Sequence, residues 1–216
     1  MNENNDRKFF CNIINETQKK QFFEDFYVDV NGYVISSEAK KEFETDSKSL
    51  TYGEVTYEGL KEVLDIIQPK ENSVFYDLGS GTGKALLVSA LAGPFAKING
   101  VELLPKLYDA SLNVKDYFLN FLNEKYQDAF HPTIEIKNQN IEDSVFSDAD
   151  VVLINSTCFD SDLIDIISQK AEGLKKGSHF ISFTKSLNSD QFEIIHQEYH
   201  KMGWGSPTVY VHKKIA

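Results

Sequence analysis

Cysteine is nearly absent from this chain: Cys11 and Cys158 are the only two thiols in 216 residues. Two are too few for a disulfide framework, so the core must hold the fold and the thiols are expected to be reduced. Long apolar runs are missing too. None approaches the roughly 20 residues that cross a bilayer. The opening stretch MNENNDRKFFCNIINETQKK is polar and has no signal-peptide core. The expectation is an intracellular protein, cytoplasmic or nuclear, without membrane association. Positive charge is also scarce: 22 Lys and Arg face 33 Asp and Glu, for a net charge of −11. Tight binding to DNA draws on basic surface to displace counterions and is not expected here. An acidic surface suits a basic partner instead. Internal repeats and low-complexity tracts are lacking. What remains, 41% hydrophobic and 25% charged residues, is ordinary for a globular domain. The length allows one core and a small extension.

The richest segment is Val74-Phe75-Tyr76-Asp77-Leu78-Gly79-Ser80-Gly81-Thr82-Gly83-Lys84, with Gly100-Val101-Glu102 about twenty residues later. An apolar run ends in an acid, a glycine turn follows, and a second apolar run ends in Glu102. That layout places a nucleotide-type cofactor at the carboxyl ends of two neighbouring parallel strands. Glycines allow a sharp turn and close approach to a ligand. An acid at the second strand tip can accept from both ribose hydroxyls. A phosphate-binding P-loop fits this spacing poorly, because Leu78 stands where the first glycine belongs and Ala85 follows the lysine. A dinucleotide site wants its third glycine one residue later than Gly83.

Alternation of strand and helix predicts a mostly parallel sheet with helices on both faces. Strands are expected at 73–78, 97–102, 133–137, 150–155 and 177–183, and helices at 57–67, 83–91, 106–126 and 160–172. Thr208–Lys213 alternates well and Phe192–Met202 in part, with Gly203-Trp204-Gly205-Ser206-Pro207 as turn chemistry between them. A closing antiparallel hairpin is expected. In the first fifty residues, helices are expected at 18–26 and 37–44, with a hairpin over 27–35 around Asn31-Gly32. The expected division is an N-terminal accessory segment, 1–50, and a catalytic domain, 51–216.

Asp-x-Gly-x-Gly-x-Gly over Asp77–Gly83 resembles the first motif of class I S-adenosylmethionine (SAM) methyltransferases. Tyr52-Gly53-Glu54, the strand and its exit Asp150–Phe159, and Pro207–His212 narrow this further. Their order and spacing, from about Tyr52 to His212, resemble the catalytic domain of DOT1-type lysine methyltransferases. The resemblance implies a Rossmann-like α/β fold with a seven-stranded sheet, SAM as cofactor, and a protein lysine as methyl acceptor, a histone among the candidates. It implies that Tyr52 and Glu54 close over the methionine end of SAM. Asp77, Gly79, Gly81 and Gly83 would form the floor, and Glu102 would hold the ribose. Asn140 and Ile141 would contact the adenine, in place of an acid and an aromatic ring. Asn155 and Phe159 would stand by the methyl group and incoming amine, and Tyr210 would line the lysine channel. Val55 stands where the family tends to have a hydroxyl. The family's lysine-rich, DNA-gripping tail has no counterpart in this sequence.

Methyl transfer needs approach, orientation and desolvation more than a dedicated base. A narrow apolar channel disfavours the ammonium form of an incoming lysine. In that setting the Asn155 side-chain oxygen would orient the amine. Plainer roles stay open: Asn155 as a helix cap, Phe159 and Tyr210 as core aromatics, Tyr52-Gly53 as a turn. Cys158 lacks the company of a nucleophilic cysteine and is expected to be a buried structural thiol. His196 and His200, four apart, lack further ligands, so no metal is expected. No Asn/Asp-Pro-Pro-Tyr/Phe motif, found in many enzymes that methylate base amines, follows the 150–155 strand. A small-molecule amine as acceptor, or a SAM-binding partner protein without catalysis, are the alternatives to a protein lysine.

Overall fold

The computed structural model describes residues 8–43 and 50–216. Strands β1 (Ser73–Leu78), β2 (Phe95–Glu102), β3 (Thr133–Asn138), β4 (Val151–Ile154), β5 (His179–Phe183), β6 (Phe192–Tyr199) and β7 (Thr208–Lys214) form one sheet. Their order is β3-β2-β1-β4-β5-β7-β6. The first five run parallel; β7 inserts antiparallel between β5 and β6. The closing hairpin is therefore present, with its second strand innermost. Helices are α1 (Glu16–Phe26), α2 (Gly32–Glu42), α3 (Tyr57–Ile67), α4 (Lys84–Ala92), α5 (Pro105–Lys125) and α6 (Ser161–Ala171).

Local chemistry accounts for the boundaries. Thr56 caps α3 by accepting from the Gly59 N–H at 3.0 Å. The helix stops at Gln68, which turns left-handed (φ 50°) ahead of Pro69. Pro105 opens α5 at a position where its missing N–H costs nothing. Asp160, not Asn155, caps α6, accepting from the Leu163 N–H at 2.9 Å.

One sheet face packs on α3, α4 and α5 through Phe75, Ile98 and Leu153; the other packs on α6 through Val152, Ile154 and Phe180. Helix α4 is apolar all round and buried from Ala85 to Leu91, because α1 and α3 cover the side turned away from the sheet. Each buried leucine of that helix contributes roughly 1.5–3 kcal/mol.

In the first fifty residues the helix expected at 18–26 is α1, but the hairpin expected over 27–35 is not formed. Asn31-Gly32 does not turn a hairpin. Asn31 caps α2, its side chain accepting from the Val34 N–H at 3.2 Å, and the segment 32–42 is helical. Asn-Gly suits a tight hairpin as well as a helix start, and no strand among the described residues lies alongside to choose the hairpin. The helix expected at 37–44 is the later part of α2; Glu44 lies outside the described residues. Phe10, Ile14, Phe23, Phe26 and Tyr27 share one apolar cluster with the sheet and α3–α5. A division at residue 50 therefore cuts through a common core.

Candidate functional site

The chain runs from β1 out to β2 and β3, then crosses back to β4 on the other side of β1. The loops leaving β1 and β4 diverge there, and a crevice opens at the carboxyl ends of the strands. It holds a cavity of about 480 Å³, within the range of small-molecule sites.

The glycine loop forms one wall. Gly79, Gly81 and Gly83 all take positive φ (92°, 54° and 85°), which L side chains rarely adopt. The N–H groups of Gly79 and Ser80 donate to the Val101 carbonyl at 2.8 and 2.9 Å. The Glu102 carboxylate accepts from the N–H of Gly81 and of Leu104, both at 2.8 Å. Glu102 therefore pins the loop to β2 as well as facing the cavity, and each oxygen keeps acceptor capacity for a ligand hydroxyl.

Asp77 is 5% exposed and makes no side-chain hydrogen bond among the described residues. Burial, reinforced by the Glu102 charge, pushes its carboxyl up to about 8. Burial also raises Glu102, but backbone donors favour its charged form. Of the two neighbouring acids, Asp77 is therefore the one whose surroundings more strongly favour the neutral form. A buried, unpartnered carboxyl in a ligand-sized cavity fits a cationic group such as an amino acid's ammonium.

A second wall is Tyr52-Gly53-Glu54. The Tyr52 hydroxyl donates to Glu54 Oε1 at 2.9 Å and contacts Thr82 Oγ1 at 3.0 Å. Its ring lies over Gly81, where a Cβ would come within 2.7 Å of it. Burial and the Glu54 charge hold the Tyr52 hydroxyl well above the ordinary tyrosine range, so it stays protonated. Glu54 Oε2 pairs with Lys84 Nζ at 2.6 Å. Gly32, at the start of α2, leaves room for this pair: a Cβ there would lie 2.2 Å from Glu54 Oε1 and 2.3 Å from the Tyr52 hydroxyl. From the other side the Gly203 N–H donates to the Glu54 carbonyl at 2.9 Å. Tyr27 completes the brace, its hydroxyl donating to the Thr82 carbonyl at 3.1 Å.

The far end is apolar. Phe159 and Phe183 line it, with Asn155 between the strand ends. Trp204 stacks behind Gly53, its ring 2.8 Å from where a Cβ would sit, and lies 5.7 Å from the Phe183 ring. The Asn155 oxygen accepts from Thr157 Oγ1 at 2.9 Å and from the Thr157 N–H at 3.4 Å. That oxygen, expected to meet the acceptor amine, is thus bound within the protein, and Nδ2 is the group near Gly53. Glu142, Asp160 and Asp162 give the cavity an acidic rim.

Of the expected site residues, Tyr52, Glu54, Asp77, Gly79, Gly81, Glu102, Asn140, Ile141, Asn155 and Phe159 line this one cavity. Ile141 lies over Gly79, 3.7 Å from its would-be Cβ. The Asn140 oxygen accepts from the Glu142 N–H at 3.2 Å. Gly83 and Tyr210 do not line it. Gly83 faces α5, 3.4 Å from Ser111 at its would-be Cβ. Tyr210 is half-buried on β7; Val209 and Val211 take the face packed on α3–α5, so the two-residue period puts Tyr210 on the opposite face.

Sequence reasoning missed Lys84, Trp204, Tyr27 and Gly32. Trp204 was visible only as part of a turn, and the other three act across distances in the chain that no local pattern reports. Cys158, expected to be buried, is half-buried. His196 lies on a strand; its Nε2 meets His200 Nε2 at 2.8 Å, and His200 Nδ1 meets Glu62 at 3.0 Å. Among the described residues no group of three or more His, Cys, Asp or Glu is placed to hold a metal, and no helix is long and apolar enough to cross a membrane.

Residues 32–206 match the family described as "Histone methylation protein DOT1". The chain is 29% identical over 150 residues to a Caenorhabditis elegans protein named histone-lysine N-methyltransferase, H3 lysine-79 specific, covering 68% of this chain and 16% of that protein. A Debaryomyces hansenii protein of the same name is 26% identical over 226 residues, covering 93% of this chain and 18% of its own length. The chain thus spans less than a fifth of either relative. An RNA methyltransferase from Salinibacter ruber, solved with S-adenosyl-L-homocysteine, superposes with TM-score 0.56 at 18% identity, over 72% of this chain and 90% of that one. TrmN from Thermus thermophilus superposes with TM-score 0.59 at 16% identity, over 78% and 52%. At these identities the likeness shows a shared Rossmann-like methyltransferase fold.

Proposed function

Because this chain belongs to the DOT1 family of histone methylation proteins, we propose that it is a SAM-dependent methyltransferase whose acceptor is a protein lysine. The observation that carries the reading is the pairing of an unpartnered, buried Asp77 with the left-handed glycine loop and Glu102 in one cavity. Asp77 suits the ammonium of the methionine end. Glu102 suits the ribose hydroxyls. Asn140 and Ile141 suit the adenine, the first by its amide and the second by apolar contact. Tyr52 and Glu54 form the wall over the methionine end.

When bound, SAM supplies a methyl group on a sulfonium that is already a leaving group. The chain's part is to present a neutral amine in line with it. Phe159 and Phe183 make an apolar approach that disfavours the ammonium form. The acidic rim at Glu142, Asp160 and Asp162 attracts a basic segment before the lysine enters. Asn155, fixed by Thr157, shapes the passage rather than accepting from the amine. Tyr210 is left out of this assignment.

The test is transfer from labelled SAM to recombinant histone H3, free and in nucleosomes. The expected result is label on H3, lost when the lysine of the relatives' name is replaced. Label on a different protein's lysine would keep the enzyme and reject the histone. SAM binding with no transfer to any lysine-bearing protein would reject the acceptor class.

A further inference from the structure

Three non-glycine residues take positive φ among the described residues, and Thr184 is the β-branched one, at 69°. Branching at Cβ makes that conformation costly, so its surroundings must hold it there. Thr184 centres a reversal at the end of β5. The Lys185 N–H donates to the Phe183 carbonyl at 2.8 Å, and the Thr184 N–H donates to the Thr208 carbonyl at 2.7 Å. A three-residue turn closed this way at positive φ is the rare, strained form of the γ-turn. The turn grips the exit of β4 at three points. Ser156 Oγ donates to the Phe183 carbonyl at 2.7 Å, Lys185 Nζ donates to the Phe159 carbonyl, and Thr184 Oγ1 lies 3.1 Å from Thr157 Oγ1. Counting protons gives the last contact a direction. A threonine hydroxyl has one proton. That of Thr157 goes to the Asn155 oxygen at 2.9 Å, so Thr184 must donate to Thr157. The chain from Thr184 through Thr157 thus runs one way and ends on the amide oxygen.

From this we infer that Thr184 and Thr157 are positioning residues for methyl transfer: they hold the Asn155 amide with its oxygen turned away from the passage, so that this wall offers the incoming amine no acceptor that would keep it charged. The inference rests on the lysine methyltransferase reading above. An amide oxygen beside an amine bonds the ammonium form more strongly and so favours it. An ammonium has no lone pair with which to attack the methyl group. With the oxygen bound to Thr157, the side of the amide toward Gly53 is Nδ2, a donor, which gives an ammonium nothing. Freed from Thr157, the amide turns over and its oxygen enters the passage. The charged groups facing this end are Glu54 with Lys84, Asp77 and Glu102 toward the glycine loop, Glu142, Asp160 and Asp162 at the rim, and Lys185 on the turn itself. All of them stay in every variant below, so the comparison isolates the amide.

The test is the pH dependence of kcat for the full chain, with labelled SAM and histone H3 or whichever other protein lysine the wild type labels. The acid limb of kcat reports loss of the proton from the bound amine. Thr157→Val keeps the shape of the side chain and removes its hydroxyl. Its acid limb should move up by about one pH unit, the worth of one hydrogen bond to a charged group. Thr184→Val should move the limb the same way by less. Thr157→Ser, which keeps the hydroxyl, should track wild type. Calorimetric SAM affinity and thermal melts, both independent of transfer, should stay close to wild type in all three. An acid limb unmoved in both valine variants, or kcat reduced equally at every pH, would overturn the inference and leave Thr184 as a structural turn. SAM affinity lost in step with turnover would overturn it as well. No transfer by wild type to any lysine-bearing protein would reject the acceptor reading itself, and this inference with it.

Discussion

The two ends of the cavity are built on different plans. The end beside β1 and β2 is made from backbone: three left-handed glycines, amides pinned to Val101 and Glu102, and one unpartnered acid at Asp77. The end beside β4 and β5 is made from side chains brought from far apart: Asn155 and Phe159 after β4, Phe183 closing β5, and Trp204 from the hairpin turn. Backbone geometry tolerates almost no substitution, while an apolar wall can be repacked. Damage at the first end should therefore abolish binding, and damage at the second should slow transfer while leaving the cofactor in place.

The largest effect is expected at Gly81. A side chain there strains a backbone at φ 54° and drives into the Tyr52 ring. Gly81→Val should reduce SAM affinity by more than about a hundredfold, a loss near the top of the range for single substitutions, read by calorimetry on protein that still melts cooperatively.

Asp77→Asn sharpens the contrast by separating stability from binding. SAM affinity should fall roughly ten- to a hundredfold, the worth of a charge-assisted contact, while the unliganded protein melts a few degrees higher. The sign follows from linkage. The Asp77 carboxyl titrates near 8 when folded and near 3.8 when unfolded. Between those values the unfolded chain has given up a proton that the folded one retains. The group's stabilising contribution is full below 3.8 and is lost progressively as pH rises toward 8. Melting temperatures of wild type and Asp77→Asn should therefore diverge with rising pH across that window, the variant's curve being flatter.

At the other end, Phe159→Ala should cut turnover by roughly ten- to a hundredfold, about 1.4 to 2.7 kcal/mol of barrier. SAM affinity should stay within a few-fold. A matching loss of SAM affinity would erase the difference between the two ends. The smallest effect is expected from Tyr210→Phe. It is not among the residues that line the cavity, and turnover and affinity should each change less than about twofold, as for substitutions remote from a site.

The same contrast explains what could be read from the sequence. β1, the glycine loop and Glu102 are local: glycines at fixed offsets between two apolar runs announce them, and the sheet places them together. Helix α3 was legible because its Leu60, Val63, Leu64, Ile67 stripe runs on one face and Pro69 stops it. The start of α2 was obscure because Asn31-Gly32 carries two meanings, a hairpin turn and a helix cap, and only the tertiary surroundings choose between them. Lys84 was read as a failed phosphate-loop lysine, since its partners Glu54 and Tyr27 are distant in sequence. Tyr210 was placed by family resemblance alone; on β7, Val209 and Val211 join the cluster shared with α3–α5, and Tyr210 lies on the opposite sheet face, outside the residues that line the cavity.

The central claim is that Asp77 receives the ammonium of SAM. Calorimetric titration at pH 7 in buffers of different ionisation heat measures affinity and proton exchange together. If the claim holds, SAM binds wild type, and Asp77 sheds the proton it carries in the empty site. Wild type should then release about half to one proton more per SAM than Asp77→Asn. Absence of SAM binding, or equal proton exchange in the two proteins, would contradict it.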